Sequence, residues 1–293
     1  MKRRRALALL ASAYAVSACG ARTGTGTVRV GSKNFSENIT IAEIYAGALE
    51  RAGIRVERRM NLGSTQIATA AMRRGDIDLY PEYTGTALID VLHHAPMHDP
   101  RALFATVDRA YQSDFGLRWL TPSPVNDSQG LAMTRGRAAQ AKVATLSQCA
   151  AAASALRLAS VPEFVKRADA LPGLQHFYGG FRFAQVRTFD IGLQYSALVR
   201  GDADVATAFT TDAQIAADNL IVLRDDRHFW PPYNVAPVVR IAALKAHPAI
   251  ESVLSRVSPL LTDDAVRALN VQVDVQKMDP ADAAAAFLRE HKS

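Results

Sequence analysis

The chain of 293 residues is short of the features that mark several protein classes. It has two cysteines, Cys19 and Cys149, which leaves no room for a disulfide framework or a cysteine-based zinc site. A helix needs about 20 apolar residues to cross a bilayer. The most apolar stretch, Ala6–Val16, has eleven, and the Ala-rich tracts 138–155 and 281–287 are broken by polar residues. Gly130 and the Gly179-Gly180 pair stand outside any phosphate-loop pattern. There is no Gly-x-Ser-x-Gly elbow, and neither Ser128 nor Ser196 has an evident base, so nucleophilic catalysis has no support. His93, His94 and His98 are close in sequence, but adjacent histidines diverge on a helix or strand and no carboxylate follows before Asp99. No metal and no cofactor is expected.

What is present begins at the N-terminus. Lys2, Arg3, Arg4 and Arg5 precede the Ala6–Val16 run, the layout of a signal peptide spanning residues 1–18. The run ends Val16-Ser17-Ala18-Cys19, which resembles a bacterial lipobox and implies a diacylated Cys19 as the mature N-terminus. Gly20 lacks the Asp that often marks inner-membrane retention of such lipoproteins. Residues 19–27, with Thr-Gly-Thr-Gly-Thr at Thr23–Thr27, read as a flexible tether. Losing the four basic residues of the leader lowers the formal charge from +6 to about +2. The basic balance is therefore a targeting effect, and no nucleic-acid partner is expected. Cys149 is left without an internal partner.

Periodicity predicts an α/β fold. Val28-Arg29-Val30 reads as a strand, Ser36 as an N-cap, and Ile41, Ile44, Tyr45, Ala48, Leu49 and Ala52 as one apolar helix face stopped by Gly53. Ile54–Met60 alternates as a second strand. Asn61–Ser64 opens a second helix ended by Gly75, and Ile77-Asp78-Leu79 reads as a third strand. This βαβαβ order predicts a largely parallel sheet with ligand loops at the strand ends. The order recurs. Gly75-Asp76-Ile77-Asp78-Leu79 matches Gly201-Asp202-Ala203-Asp204-Val205, with Tyr83 meeting Phe209 and Thr84 meeting Thr210. Upstream, Arg29-Val30-Gly31-Ser32 resembles Arg157-Leu158-Ala159-Ser160. Two copies predict two lobes, residues 28–125 plus 233–293 and residues 126–232, facing each other across a cleft. Phe229-Trp230-Pro231-Pro232-Tyr233 reads as a stiff returning segment beside that cleft.

Lys33 follows the first strand, and Arg167 follows the strand assigned the same place in the second lobe. Two cations so placed could clamp one carboxylate when the lobes close. Tyr80–Thr86 follows the third strand directly, where polar residues and glycine mark the functional edge of a parallel sheet.

Several longer motifs occur in order: Val30–Glu37, Asn61–Thr65, Gly75–Thr86, Pro162–Phe164, Phe209–Asp212 and Phe229–Val239. Together they resemble the substrate-binding lipoproteins of osmoprotectant ABC importers, which take up glycine betaine, choline, carnitine and related quaternary amines. The resemblance covers nearly all of the mature chain. It implies a type II periplasmic binding protein, two α/β lobes joined by two crossing segments, that is not an enzyme. A small-molecule ligand, an ABC permease subunit as partner, lipid anchoring on the outer face of a membrane and a monomeric state follow from it. The implied cage for the trimethylammonium head is Tyr83, Phe209 and Tyr233. Lys33, Thr86 and Arg167 are the implied carboxylate contacts, and Asp127 lies on the second-lobe loop. Gln129 falls where high-affinity relatives carry a fourth aromatic ring, which predicts weak betaine binding and a gain from Gln129→Tyr. A polar Gln129 also suits a different zwitterion, such as an amino-acid derivative. A ligand sensor serving a signalling partner stays open on sequence alone.

Overall fold

The computed structural model describes residues 26–291. The expected signal peptide, Cys19 and all but the end of the tether lie outside the described residues. Strand β1 is Thr27–Gly31, helix α1 Ser36–Arg51, β2 Arg55–Arg59, α2 Thr65–Arg74 and β3 Leu79–Tyr83. This is the predicted βαβαβ order, for the predicted reasons. Val28 and Val30 bury the inward side of β1, and Ile41, Ile44, Tyr45, Ala48 and Leu49 bury one face of α1. That face packs on the helix Pro280–Glu290. Local details differ. Phe35, not Ser36, holds the N-cap position, without a side-chain cap bond. Ala52 lies past the end of α1 and is exposed. The third strand begins two residues later than predicted, so Tyr80–Tyr83 are buried strand residues rather than a loop.

The remaining strands are β4 Leu117–Trp119, β5 Gln129–Thr134, β6 Arg157–Ser160, β7 Gln185–Thr188, β8 Val205–Phe209, β9 Leu220–Val222 and β10 Val235–Arg240. They form two separate five-stranded sheets, ordered β2-β1-β3-β10-β4 and β7-β6-β8-β5-β9. The two orders are the same design, since each strand of one sheet has a counterpart in the other. The expectation of a largely parallel sheet needs correction. β1 runs parallel to β2 and β3, but β10 runs antiparallel to both β3 and β4. β5 does the same between β8 and β9. The cause is connectivity. β5 and β10 enter their sheets straight from a segment arriving from the other one, with no crossover helix to turn them parallel.

The repeated Gly-Asp-x-Asp has a structural reason. Gly75 (φ 79°) and Gly201 (φ 78°) end their helices in the left-handed conformation. Asp78 accepts from the Arg29 backbone N–H at 3.0 Å and from its guanidinium at 2.8 and 2.9 Å. Asp204 takes the Arg157 N–H at 2.8 Å and Nε at 3.0 Å. In both sheets a carboxylate just before the central strand thus pins it to the neighbouring parallel strand.

The two crossing segments are tied side by side. Asn126 and Asn234 form a bridge. The Tyr233 N–H donates to Asn126 Oδ1 at 2.7 Å, and Asn234 Nδ2 donates to Val125 O at 3.1 Å. No described helix is long and apolar enough to cross a membrane. Cys149 is buried, and burial pushes its thiol up to about 12.

Candidate ligand-binding site

The C-terminal ends of β1 and β3 face those of β6 and β8, so the loops after these strands converge, as sheets of this design arrange for ligands. Between them lies a cleft of about 250 Å³. Lys33, Tyr83, Thr86, Asp127, Gln129, Arg167, Phe209 and Tyr233 all line it. Residues far apart in sequence are therefore gathered at one place.

Three aromatic rings come from three elements. Tyr83 ends β3, Phe209 ends β8, and Tyr233 leaves the second crossing segment. Tyr83 and Phe209 hold equivalent places in the two sheets. Phe35, also in the cleft lining, packs tilted against Tyr83 with ring centroids 6.0 Å apart. Tyr233 is fixed by donating from its hydroxyl to Asp169 Oδ2 at 2.7 Å. Gly85 lets it approach, because a Cβ there would meet Tyr233 ring carbons at 2.7 Å.

Gln129 stands opposite Phe209 at the start of β5. Its amide nitrogen donates to Asp169 Oδ2 at 2.9 Å and to the Tyr233 hydroxyl at 3.0 Å. The residue at the expected fourth-ring position thus holds one of the other rings in place.

Both candidate clamp cations are already paired. Lys33 Nζ is 2.5 Å from Glu82 Oε1 and 5.0 Å from the Tyr83 ring centroid. Burial pushes the ammonium down, opposed by Glu82. Arg167 forms a two-point pair with Asp169 at 2.8 and 2.5 Å. Burial works against its charge, but Asp169 prevails and holds the guanidinium above its ordinary value. Arg167 also reaches across the cleft to Thr86 Oγ1 at 3.4 Å and Asp90 at 3.9 Å. The symmetry expected of the two cations is not present: Lys33 lies just past β1, whereas a longer loop separates Arg167 from the end of β6 at Ser160.

Acidic groups complete the cleft. Glu37, on the first turn of α1, accepts from the Tyr83 hydroxyl at 2.8 Å, from Asn270 Nδ2 at 2.7 Å and lies 2.6 Å from Thr211 Oγ1. Thr211 Oγ1 is also 2.7 Å from Asp127 Oδ1. Asp212 accepts from the Phe209 N–H at 2.9 Å and from the Tyr195 hydroxyl. Burial pushes Asp212 up to about 7. Among the described residues no group of histidine, cysteine and acidic side chains could hold a metal ion.

Residues 26–290 match the family described as the substrate binding domain of ABC-type glycine betaine transport systems. The chain belongs to this family. A glycine-betaine-binding protein of Pseudomonas aeruginosa is 34% identical over 90% of this chain and 88% of its own. An ergothioneine transport permease/ergothioneine binding protein, EgtU, of Helicobacter pylori is 32% identical over 88% of this chain, which spans 46% of that longer protein. The crystal structure of a glycine betaine/carnitine/choline ABC transporter protein superposes with a TM-score of 0.76 at 29% identity, covering 90% of this chain and 98% of that one. As a family member, this chain is an extracytoplasmic substrate-binding protein with two α/β lobes. It serves an ABC permease with a small molecule and is not an enzyme.

Several cleft residues escaped sequence reasoning. Glu37 and Asp212 sat inside quoted motifs without being singled out. Asp169 lies two residues past Arg167, a spacing that signals nothing until the loop is folded. Asn270 and Asp274 come from the stretch after Val239, where no repeat and no motif is legible in the sequence.

Proposed function

We propose that this protein binds a quaternary-ammonium solute, such as glycine betaine, choline or carnitine, and delivers it to its permease. The convergence of Tyr83, Phe209 and Tyr233 in one closed cleft carries this reading. A quaternary ammonium has no N–H to donate, so ring faces are its natural partners, at about 0.5–2 kcal/mol per ring. In this reading Lys33, Thr86 and Arg167, which line the same cleft, are the contacts of a ligand carboxylate. Because Lys33 and Arg167 are each matched by an acid, a carboxylate ligand would join existing pairs rather than neutralise free cations. Gln129 in place of a ring at the expected fourth cage position suits modest affinity for glycine betaine.

The lobes comprise residues 28–125 plus 233–293 and residues 126–232, a division supported by the assignment of strands to sheets. Cys19 is the lipid anchor, and the protein acts as a monomer on the outer face of a membrane. Changing Cys19 to Ser should release the protein into the soluble fraction; unchanged fractionation with no acyl mass on the N-terminal peptide would count against anchoring.

A thermal-shift panel tests the ligand class, because a ligand bound only by the native state raises Tm. Glycine betaine, choline, carnitine, ergothioneine, ectoine and amino acids form the panel. A rise with trimethylammonium compounds is expected. A rise confined to ligands without that group would overturn the reading.

A further inference from the structure

The contacts that close the cleft contain one proton more than two ionised carboxylates allow. Glu37 approaches from the first sheet's side, on α1. Asp127 and Thr211 approach from the second, before β5 and after β8. The Thr211 hydroxyl lies 2.6 Å from Glu37 Oε2 and 2.7 Å from Asp127 Oδ1. A hydroxyl has one hydrogen, so it donates to only one of these acceptors. The other contact is a hydrogen bond only if that carboxyl is protonated and donates to Thr211.

The partners decide which. Burial pushes Glu37 up as well, but Tyr83 and Asn270 both donate to it whichever way the Thr211 hydroxyl points, and these two donors favour its ionised form. Asp127 has the Thr211 side as its described support. Burial, with Glu37 and Asp212 nearby, pushes Asp127 well above the ordinary carboxylate range. The chain of donors thus runs from Asp127 to Thr211 to Glu37, across the cleft. The surrounding ionisable groups add little positive charge. Asp212 and Asp274 are acidic, and Tyr83 and Tyr195 are neutral phenols. Lys33 is held by Glu82, and Arg267, on the helix that carries Asn270, by Asp264.

We propose that the Glu37–Thr211–Asp127 contact is a proton-occupied latch, and that a cationic ligand head replaces the proton. The second half rests on the reading of this cleft as a quaternary-ammonium site. The latch makes Glu37 and Asp127 selective for positive charge beside the Tyr83 ring, whose hydroxyl already sits on Glu37. Its sign follows from linkage. The closed state holds the proton, so ligand-free closure is favoured at low pH and lost as pH rises through the latch titration. Binding of a cation should release a proton.

Small-angle scattering on the ligand-free protein from about pH 5 to about pH 9 reads the first half. The radius of gyration should grow as pH rises. Asp127→Asn should stay closed throughout, since its amide donates to Thr211 without a titrating proton, and Thr211→Val should be open throughout. A constant wild-type radius, or an Asp127→Asn protein that opens as the wild type does, would overturn the latch. Calorimetry with choline chloride in buffers of different ionisation enthalpy reads the second half. About one proton should be released per choline by the wild type and none by Asp127→Asn. Zero release by the wild type overturns the exchange. If neither choline nor glycine betaine binds, the ligand reading fails, while scattering still decides the latch.

Discussion

At Gln129 the ring count and the hydrogen-bond network pull in opposite directions. Counting rings, Gln129→Tyr adds a fourth face to the cage and should gain up to about 2 kcal/mol. The structure sets two costs against this. Gln129 is 6% exposed, with its amide nitrogen donating to the Asp169 carboxylate and to Tyr233. Removing a donor from a buried, charged acceptor costs about 1.5–3 kcal/mol. Forcing a larger side chain into a filled space costs about 1–3 kcal/mol more. The network outweighs the ring, leaving a net loss of about 0.5–4 kcal/mol shared between the fold and ligand binding; each ~1.4 kcal/mol of it that falls on binding weakens glycine betaine binding about tenfold. Part of the loss should appear in the free protein, because Asp169 and Tyr233 are bound to Gln129 before any ligand arrives. A melting temperature lower by about 4–8 °C fits about 2 kcal/mol in a chain of this size. Calorimetry and thermal melts on both proteins measure the two parts. Tighter betaine binding with an unchanged melting temperature would refute this reasoning and restore the fourth ring.

Arg167→Ala strands Asp169, which is 1% exposed, and should destabilise the fold by about 3–5 kcal/mol by denaturant melts. It should also weaken glycine betaine more than choline in titrations; equal losses would make Arg167 purely structural. Gly85→Ala places a Cβ 2.7 Å from the Tyr233 ring and 2.9 Å from Pro232 O, so it should cost about 1–3 kcal/mol and weaken binding, measured by melts and calorimetry. Asp78 and Asp204 are held below the ordinary carboxylate range, where the pull of their arginine partners exceeds the opposing effect of burial. Their stabilisation is present above the unfolded-state pKa of about 3.9 and is lost as pH falls towards the depressed folded values. Acid titration of Tm should therefore fall less steeply below about pH 4 in Asp204→Asn than in the wild type.

The repeat was legible because its residues do local work. A left-handed glycine ends a helix, and an aspartate three residues on pins a strand, so the pattern survives in both copies. That Tyr83, Phe209 and Tyr233 share one cleft was legible through motif resemblance. The antiparallel strands β5 and β10 were not, since strand direction depends on where the chain arrives from and leaves no mark on alternation. Tyr80–Tyr83 fell outside the expected strand because the polar residues and glycine of Tyr80–Thr86 read as the functional edge of the sheet; in the structure Pro81 lies within β3, opposite Pro237 of β10. The acids that neutralise Lys33 and Arg167 were hidden for another reason. Glu82 is distant from Lys33 in sequence, and Asp169 gains its role only when Gln129 and Tyr233 close around it.

The strand order also sets a timetable for folding. β4 touches its sheet only through β10, which ends at Arg240, so the first sheet stays incomplete until nearly the whole chain exists. The second sheet draws all its strands from Gln129 to Val222 and can close earlier, although its first strand lies later in sequence. As the chain emerges, the half that starts last finishes first. Truncation after the second sheet should therefore leave a folded fragment joined to an unfinished one, with β4 unpaired and exposed to aggregation.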